Sequence, residues 1–423
     1  MMGATCAGAP AADRPTCDVI DNLAALQDIN PQWLAFLEER AGRHSVYAHP
    51  AFAEAELRLH PDYHPSMVVV RRGGRIEAIA PGFLHDTRAK LELSIRKIAS
   101  FKARIWRLFG SAIVFARSAD RAACLRAVLA ALNAARAGGD FVHLDCLEVE
   151  SDTWAALHGG GLDETGYHLM PASHTLDTIR RIRFPGTYDE YFASLSHHTR
   201  SWMRRRQKKL AALGTLRLAR CTTPDEVQRF VTGLDAVYNR SWQAHSFGPR
   251  PRGRPEDGDY YRLLAAAGLL RSYVLWDGDR PLAFSVGYQH RKTYYYAETG
   301  YDMATSNLAP GMVLQTLVFQ DLLEHDPVTL LDFGPGDSQM KQSFANEEAR
   351  ACIAYVARRL PWRAFVRGQR LISVVENGVR VGLKRVHADV FARNVLRRGV
   401  GGSSRASADE PEATTDQSRS TPP

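Results

Sequence analysis

The sequence predicts an α/β protein with two similarly ordered halves, each a mixed central sheet flanked by helices. In each half a strand, a tight turn containing Gly and a second strand come first. A further strand, a helix and a strand ending in Leu-Asp follow. The second strand of each hairpin is an apolar run after the turn, and apolar residues recur at three- and four-residue spacing along the predicted helices. A chain of 423 residues is long enough for two ordinary domains.

In the first half, the pair Gly73-Gly74 marks the hairpin turn, since consecutive glycines accept the positive φ angles that a tight turn needs. A Gly-containing turn at 277–279 plays the same part in the second half. The first half is expected to have strands at 66–72, 75–84 and 107–116, a helix at 121–135 and a strand at 141–145.

The second half repeats this order and adds helices before it. Its central elements are expected to be strands at 272–276, 280–290 and 292–301, a helix at 310–324 and a strand at 329–333. The flanking elements are expected to be helices at 188–195, 199–213, 224–246 and 257–268, a strand at 215–221, a helix after 333 and a strand at 350–358.

Composition divides the chain into five segments. The small, polar stretches 1–17 and 401–423 predict disordered tails. Residues 18–185 and 186–360 are predicted to be the two domains, and 361–400 a basic helical extension. The segment from Arg358 to Arg398 contains eleven Lys and Arg residues and two acidic residues. Residues 195–224 contain eight basic residues and no acidic residue. Such segments predict an anionic partner, with a solvated flank as the alternative.

Several classes of protein are disfavoured. No stretch resembles a signal peptide or a membrane-spanning segment, so a cytoplasmic location is expected. The six cysteines are scattered and the histidines lack metal-ligand spacing, so neither a disulfide framework nor a metal site is predicted. The P-loop spacing and the Gly-x-Ser-x-Gly elbow of serine hydrolases are both absent.

A polar loop leads into the helix of the second half through Ala309-Pro310-Gly311. A loop that brings backbone amides to a helix N-terminus can hold a phosphate. Pro310 suits the first helical turn, and Gly311 lets the backbone approach a ligand closely. The corresponding loop of the first half, 117–121, has neither Pro nor Gly. Cofactor binding is therefore predicted in the second domain only.

The stretches RPLAFSVGY, YYYAETGYD, NLAPGMVLQ and LLDFGPGDSQMKQSF, with SHHTRSWMRRRQKKL and YNRSWQ before them, resemble the GNAT acyltransferase superfamily. The tandem order resembles its FemAB/CelD-like branch. The resemblance is clear over about 190–345 and weaker over 45–175. It implies tandem GNAT-like domains, the first of them degenerate.

The resemblance also implies how an acyl-CoA, most simply acetyl-CoA, would bind. Two neighbouring strands splay apart and pair with the pantetheine arm, and the following loop holds the pyrophosphate. The loop lacks the Arg/Gln-x-x-Gly-x-Gly/Ala pattern of simple GNAT enzymes, so acyl-carrier protein or aminoacyl-tRNA stays open as the donor. The implied cofactor-binding residues are Tyr301, Met303, Asn307, Leu308, Ala309, Pro310, Gly311, Asp332 and Phe333.

Amine acylation needs a base, a donor for the oxyanion and an acid for the leaving group. Glu298 is the candidate base, with a solvent-facing strand residue as the alternative. Asp302 is the second carboxylate, with a turn-forming role as the alternative. Lys341 is predicted either to bind an acyl or phosphate group or to pair with Asp337. The candidate acceptor-binding residues are Arg240, Trp242, for which a core position is the alternative, and Asp337.

These observations predict an N-acyltransferase that moves an acyl group from acyl-CoA to an amino group of a sugar or small metabolite. By resemblance to the CelD-like branch, the pathway could be envelope or exopolysaccharide assembly. The alternatives are a FemAB-type transferase that uses aminoacyl-tRNA and a non-catalytic GNAT-fold scaffold. The basic segment 358–398 interleaves arginines with aliphatic residues, which predicts peripheral contact with an anionic membrane, RNA being the alternative.

Overall fold

The structure is a computed structural model that describes residues 15–39, 45–93, 96–134, 139–172, 176–247 and 256–385. Within these ranges the chain forms a mixed α/β fold with the tandem order predicted from the sequence. The central strands of the second half are buried apolar runs, with helices packed on both faces of the sheet.

The elements of the first half extend to residue 183. Its strands are β1 (Thr16–Ile20), β2 (Tyr63–Pro65), β3 (Met67–Arg72), β4 (Arg75–Ala80), β5 (Gly82–Leu93), β6 (Arg96–Leu108), β7 (Val114–Phe115), β8 (Phe141–Glu148), β9 (His168–Pro171) and β10 (Asp177–Arg183). Its helices are α1 (Leu23–Glu39), α2 (Pro50–Leu59), α3 (Arg121–Ala134) and α4 (Asp152–His158), with short 3-10 turns at Val46–Ala48 and Phe109–Ser111.

The second half begins with two helices that precede its first strand. Its helices are α5 (Tyr188–Ser194), α6 (His197–Ala211), α7 (Val227–Tyr238), α8 (Trp242–Phe247), α9 (Glu256–Ala266), α10 (Pro310–His325), α11 (Gln339–Phe344) and α12 (Leu360–Arg385). Its strands are β11 (Leu216–Cys221), β12 (Ser272–Asp277), β13 (Arg280–His290), β14 (Thr293–Tyr301), β15 (Leu330–Pro335) and β16 (Glu347–Ala357), with 3-10 turns at Pro224–Glu226 and Met303–Leu308.

One twelve-stranded sheet runs through both halves in the order β11-β12-β13-β14-β15-β10-β16-β8-β6-β5-β2, with β9 beside β16. A four-stranded sheet, β1-β3-β4-β7, belongs to the first half. Strand β10 comes from the first half of the chain, yet it pairs antiparallel with β15 on one side and β16 on the other. The large sheet is therefore continuous across the seam between the halves.

The hairpin strands, the central helices and the Leu-Asp strands lie close to the predicted ranges in both halves. The predicted strand 107–116 is wrong. It consists of the end of β6 and the short β7, separated by the turn Phe109–Ser111, where Gly110 has φ 63°. The predicted strand 75–84 is likewise divided at Pro81, which has no N–H to donate to a sheet. The long hairpin β5–β6 was not predicted.

Other expected ranges differ in smaller ways. The predicted helix 224–246 is a 3-10 turn followed by α7 and α8. Strand β1 begins at Thr16, inside the range predicted as a tail. The basic extension is helical as α12, and its predicted continuation to residue 400 lies outside the described residues, as does the predicted tail 401–423.

Candidate functional site

Strands β14 and β15 run parallel for three residue pairs and then separate. Thr293, Tyr294 and Tyr295 face Leu330, Leu331 and Asp332, after which β14 stays with β13 and β15 continues beside β10. This opening, which we call the strand cleft, lies at the carboxyl ends of both strands. It has the splayed form that the sequence resemblance implies.

The loop after β14 enters α10 through a left-handed residue. Ala309 has φ 53° and ψ 50°, and Pro310 occupies the first turn of the sixteen-residue helix. A Cβ on Gly311 would lie 3.3 Å from the ring of Tyr301, so a larger residue would crowd that ring. At Gly311 no side chain covers the N-terminus of α10. A ligand can therefore approach the backbone at the positive end of the helix dipole.

Basic residues of α6 extend to this loop. An Arg206 guanidinium nitrogen donates to the carbonyl oxygen of Asn307 at 2.7 Å, and Lys209 Nζ lies 3.4 Å from the same oxygen. Arg206 also lies 5.3 Å from the centre of the Trp202 ring. Two cations are thus held beside the N-terminus of α10, where they increase the positive electrostatic potential of the helix dipole. Leu308, also predicted to bind cofactor, packs against the core of this half.

A triad of charged side chains lies between the two halves. Arg181 on β10 is 7% exposed and donates to both carboxyl oxygens of Glu148 on β8, at 2.9 and 2.5 Å. Its Nε donates to Asp332 on β15 at 2.8 Å, and the other oxygen of Asp332 accepts from the amide of Gly334 at 2.7 Å. The carboxylate of Asp332, a predicted cofactor residue, is thus bonded within the protein.

Glu298 lies on β14 next to a β-bulge. Val286 pairs with Glu298, and Gly287 pairs with Tyr296, so Ala297 is the extra residue. A bulge of this kind turns the neighbouring side chains relative to a regular strand. Both Ala297 and Glu298 line a cavity of about 410 Å³ between the two halves.

This cavity, which we call the seam cavity, has an aromatic wall and four charged side chains. Arg107 pairs with Asp145, and the hydroxyl of Tyr260 donates to Glu56 at 2.8 Å. Apart from Glu298, none of these residues was predicted, because they come from distant parts of the chain and share no spacing. The aromatic and charged lining residues are Tyr47, Phe52, Glu56, Tyr63, Phe83, Arg107, Phe109, Asp145, Tyr260, Tyr288 and Glu298.

Asp302 is held by two arginines. Its side chain is 1% exposed, and its Oδ2 accepts from Arg240 and Arg280, each at 2.8 Å. Its other oxygen accepts from the amide of Ala304 at 3.0 Å. Burial raises the pKa of Asp302, but these bonds and charges outweigh it and lower the pKa overall. The setting favours the turn-forming alternative for Asp302 and a structural ion pair for Arg240.

Two further predicted residues lie near β14. Trp242 begins α8 and is 45% exposed, so it is not a core residue. Its neighbour Gln243 donates to the carbonyl of Thr299 at 2.7 Å, which ties α8 to β14. Met303 is 44% exposed, and its amide donates to the carbonyl of Arg240 at 3.1 Å, so that amide already has a partner.

Lys341 binds backbone carbonyls at the end of β15. Its Nζ lies 2.9 Å from the oxygen of Phe333, 3.5 Å from Gly334, and 3.0 Å from both Pro335 and Gly336. Burial lowers the pKa of Lys341, although Asp332 and Asp337 oppose this. Lys341 therefore fixes one edge of the strand cleft.

Asp337 follows the same loop and has different partners. Its two oxygens accept from Arg180 at 3.0 and 3.1 Å, and one also accepts from Gln342 at 2.8 Å. The side chain of Phe333 is buried in the core. The Asp337 carboxylate is bonded within the protein and the Phe333 side chain is buried. A ligand can therefore contact Phe333 only at its backbone.

Replacing Lys341 with Ala is expected to loosen the loop Phe333–Gly336, because four carbonyl oxygens lose a shared cation. We expect faster amide hydrogen exchange in the segment Phe333–Gly336. Added methylammonium should restore part of the protection from exchange, since a small cation can occupy the vacated position. Ser343→Ala on the same helix is the control. Unchanged amide hydrogen exchange of Phe333–Gly336 in Lys341→Ala would contradict this role.

The described residues contain no group of three or more His, Cys, Asp or Glu side chains arranged to hold a metal ion. Among them, no helix is long and apolar enough to cross a membrane.

Residues 197–342 match the family model for the acetyltransferase (GNAT) domain. No curated protein matches the chain. Among solved structures, FemX matches with a TM-score of 0.56 and 11% identity, covering 81% of this chain and 98% of that one. The C-terminal domain of a putative lysylphosphatidylglycerol synthetase from Agrobacterium fabrum matches with a TM-score of 0.49 and 11% identity, covering 84% and 97%.

The family match identifies residues 197–342 as a GNAT domain, and the strand cleft lies within this range. FemX shares the tandem fold over most of both chains. The resemblance to the GNAT superfamily seen in the sequence is thereby confirmed for residues 197–342, and the tandem fold is confirmed for the described residues.

Proposed function

We propose that the protein is an N-acyltransferase that carries an acyl group from acyl-CoA, most simply acetyl-CoA, to an amino group. The observation that carries this proposal is the position of Glu298. It lies on the strand that forms one side of the strand cleft, and a β-bulge beside it directs it into the seam cavity. A thioester in the cleft and an amine in the cavity would meet at β14.

The donor would lie along the strand cleft with its pyrophosphate at the N-terminus of α10. Three features support this position: the dipole of a sixteen-residue helix, the close approach allowed at Gly311, and the cations of Arg206 and Lys209. The pantetheine amides would pair with the edge of β14 that β15 leaves beyond Tyr295.

The acceptor would occupy the seam cavity as an amine on a sugar or another small metabolite. Aromatic walls suit the apolar face of such a molecule, and carboxylates suit its ammonium group. Glu298 would take the proton from the ammonium, and the neutral amine would then attack the thioester carbonyl. The tetrahedral intermediate would expel the CoA thiolate, which takes up a proton as the amide forms.

Envelope or exopolysaccharide assembly, the pathway that the CelD-like resemblance implies, belongs to the same proposal. Because acyl thioesters are cytoplasmic metabolites, we place the reaction in the cytoplasm, with the chain peripheral at the inner membrane face. A FemAB-type transferase that uses aminoacyl-tRNA is the second candidate. The basic face of α6 favours it, because phosphate contacts dominate affinity for nucleic acids. A non-catalytic scaffold would bind neither donor.

Titration calorimetry with acetyl-CoA, a longer acyl-CoA and charged tRNA separates these candidates. We expect an acyl-CoA to bind, and the double variant Arg206→Gln, Lys209→Gln to weaken it about tenfold, as loss of two charge-assisted contacts does. The control is Arg204→Gln, Arg205→Gln on the same helix, whose side chains are exposed and make no bond to the Asn307 carbonyl. Binding of tRNA alone would promote the second candidate, and binding of neither would reject both.

A further inference from the structure

Helix α12 has one face that packs on the protein and another that does not. Its packed face is fixed by Val366, which is 1% exposed, and by Trp362, whose ring centre lies 5.2 Å from that of Phe141. Gly368 lies over Leu91, because a Cβ there would meet that side chain at 3.7 Å. This face packs against the large sheet, next to β5, β9 and β16.

The outward face carries large apolar side chains. Leu371 is 68% exposed, Val374 is 47% exposed and Val375 is 58% exposed. Residues advance by about 100° along an α-helix, so Leu371 lies about half a turn around the axis from Trp362. By the same count, Val374 and Val375 lie about 120° and about 140° around the axis from Trp362. The three therefore share the side of the helix away from Trp362, and burial of their apolar surface requires something outside the described chain.

Phe101 extends this apolar surface onto the neighbouring hairpin. It lies on β6, is 47% exposed, and its ring centre is 6.2 Å from that of Phe365 on α12. The aromatic side chain therefore stands beside the helix at the outer end of the sheet.

Arginines accompany the apolar patch. Arg367 and Arg370 on α12 are exposed, as are Arg358 and Arg359 just before it, and no Asp or Glu occurs from residue 358 to 375. Arg359 has a weak ion pair with Asp140, at 3.8 Å. This part of α12 thus combines positive charge with exposed aliphatic side chains, the composition of helices that lie in a membrane interface.

We propose that the outward face of α12 binds the surface of a membrane that contains anionic phospholipid. Headgroup phosphates would take the arginines, while Leu371, Val374 and Val375 enter the region of the acyl chains. A second copy of the chain fits less well. Because a two-fold interface apposes the same surface of both copies, it would bring the same arginines together. This binding is independent of the transfer reaction.

Co-sedimentation of the full chain with vesicles tests the proposal. Vesicles of phosphatidylcholine with about a third phosphatidylglycerol should bind the protein more strongly than pure phosphatidylcholine, and added salt should weaken the binding. The triple variant Leu371→Ser, Val374→Ser, Val375→Ser should lose about tenfold or more in partition, since three exposed aliphatic groups no longer enter the lipid. Arg367→Gln, Arg370→Gln should lose the preference for the anionic lipid.

Matched controls come from surfaces away from α12. Leu34→Ser with Leu213→Ser removes exposed apolar groups, and Arg204→Gln with Arg205→Gln removes two exposed charges. These variants should bind vesicles as the unmodified chain does, and all variants should keep its melting temperature. No binding to anionic vesicles, an equal loss in the controls, or no loss in the triple serine variant would overturn the proposal. A dimer that the triple serine variant abolishes would reassign the face to self-association.

Discussion

Replacement of Glu298 by Gln is expected to lower kcat by about 100-fold or more, the usual size of a lost general-base contribution. Gln keeps the shape and the hydrogen-bonding capacity of the side chain, but it does not take up the proton of the acceptor ammonium. The bulge at Ala297 should persist, because it belongs to the backbone pairing of β13 with β14. Steady-state kinetics with saturating donor and acceptor measures the effect.

Binding must be measured in parallel, because a base and a substrate-binding carboxylate differ in what they change. Loss of a base lowers kcat and leaves donor affinity unaltered. Glu324→Gln, at the other end of α10, is the matched control and should turn over normally. If Glu298→Gln keeps the turnover of the unmodified chain, Glu298 is not the base and the proposed chemistry must be assigned elsewhere.

Replacement of Arg181 by Met is expected to destabilise the protein by about 3 kcal/mol, at the lower end of the cost of breaking a buried ion pair. The substitution leaves Glu148 and Asp332 close together without their shared cation. The lower end applies because Glu148 is 36% exposed, so water solvates part of its charge. Urea unfolding followed by circular dichroism measures the free energy of unfolding.

Arg183 is the matched control for this prediction. It lies two residues along the same strand and pairs with Glu347, but its side chain is 49% exposed. Surface pairs of this kind contribute about 1 kcal/mol or less, so Arg183→Met should change stability little. Equal losses in the two variants would show that the triad is not the source of the stability of β10.

The second half was predicted closely from sequence because its hairpin strands are apolar runs on either side of a Gly-containing turn, and its helix α10 carries a clear apolar spacing. The β5–β6 hairpin was missed for a physical reason. Charged and apolar residues are mixed along both strands, so neither shows the clean alternation of a half-buried strand. In addition, Pro81 and the turn at Gly110 interrupt the predicted strands 75–84 and 107–116.

The candidate site was only partly accessible from the sequence. Local pattern was enough to indicate the loop from Asn307 to Gly311 and the strand that carries Glu298. The seam cavity was not, because α2, β6, β8 and α9 contribute one or two side chains each, and their meeting depends on how the halves pair. Lys341 was identified as significant, but its four carbonyl partners are backbone atoms that leave no signature in the sequence.

The position of β10 in the large sheet determines when that sheet can form during synthesis of the chain. Its partners in the sheet, β15 and β16, lie near the other end of the folded chain, so β10 leaves the ribosome long before either of them exists. Until they arrive, β10 has two unpaired edges, which are prone to pair with other chains. Such distant contacts form slowly. The sheet can therefore close only once synthesis has passed β16, and a chain released before that point keeps an open gap.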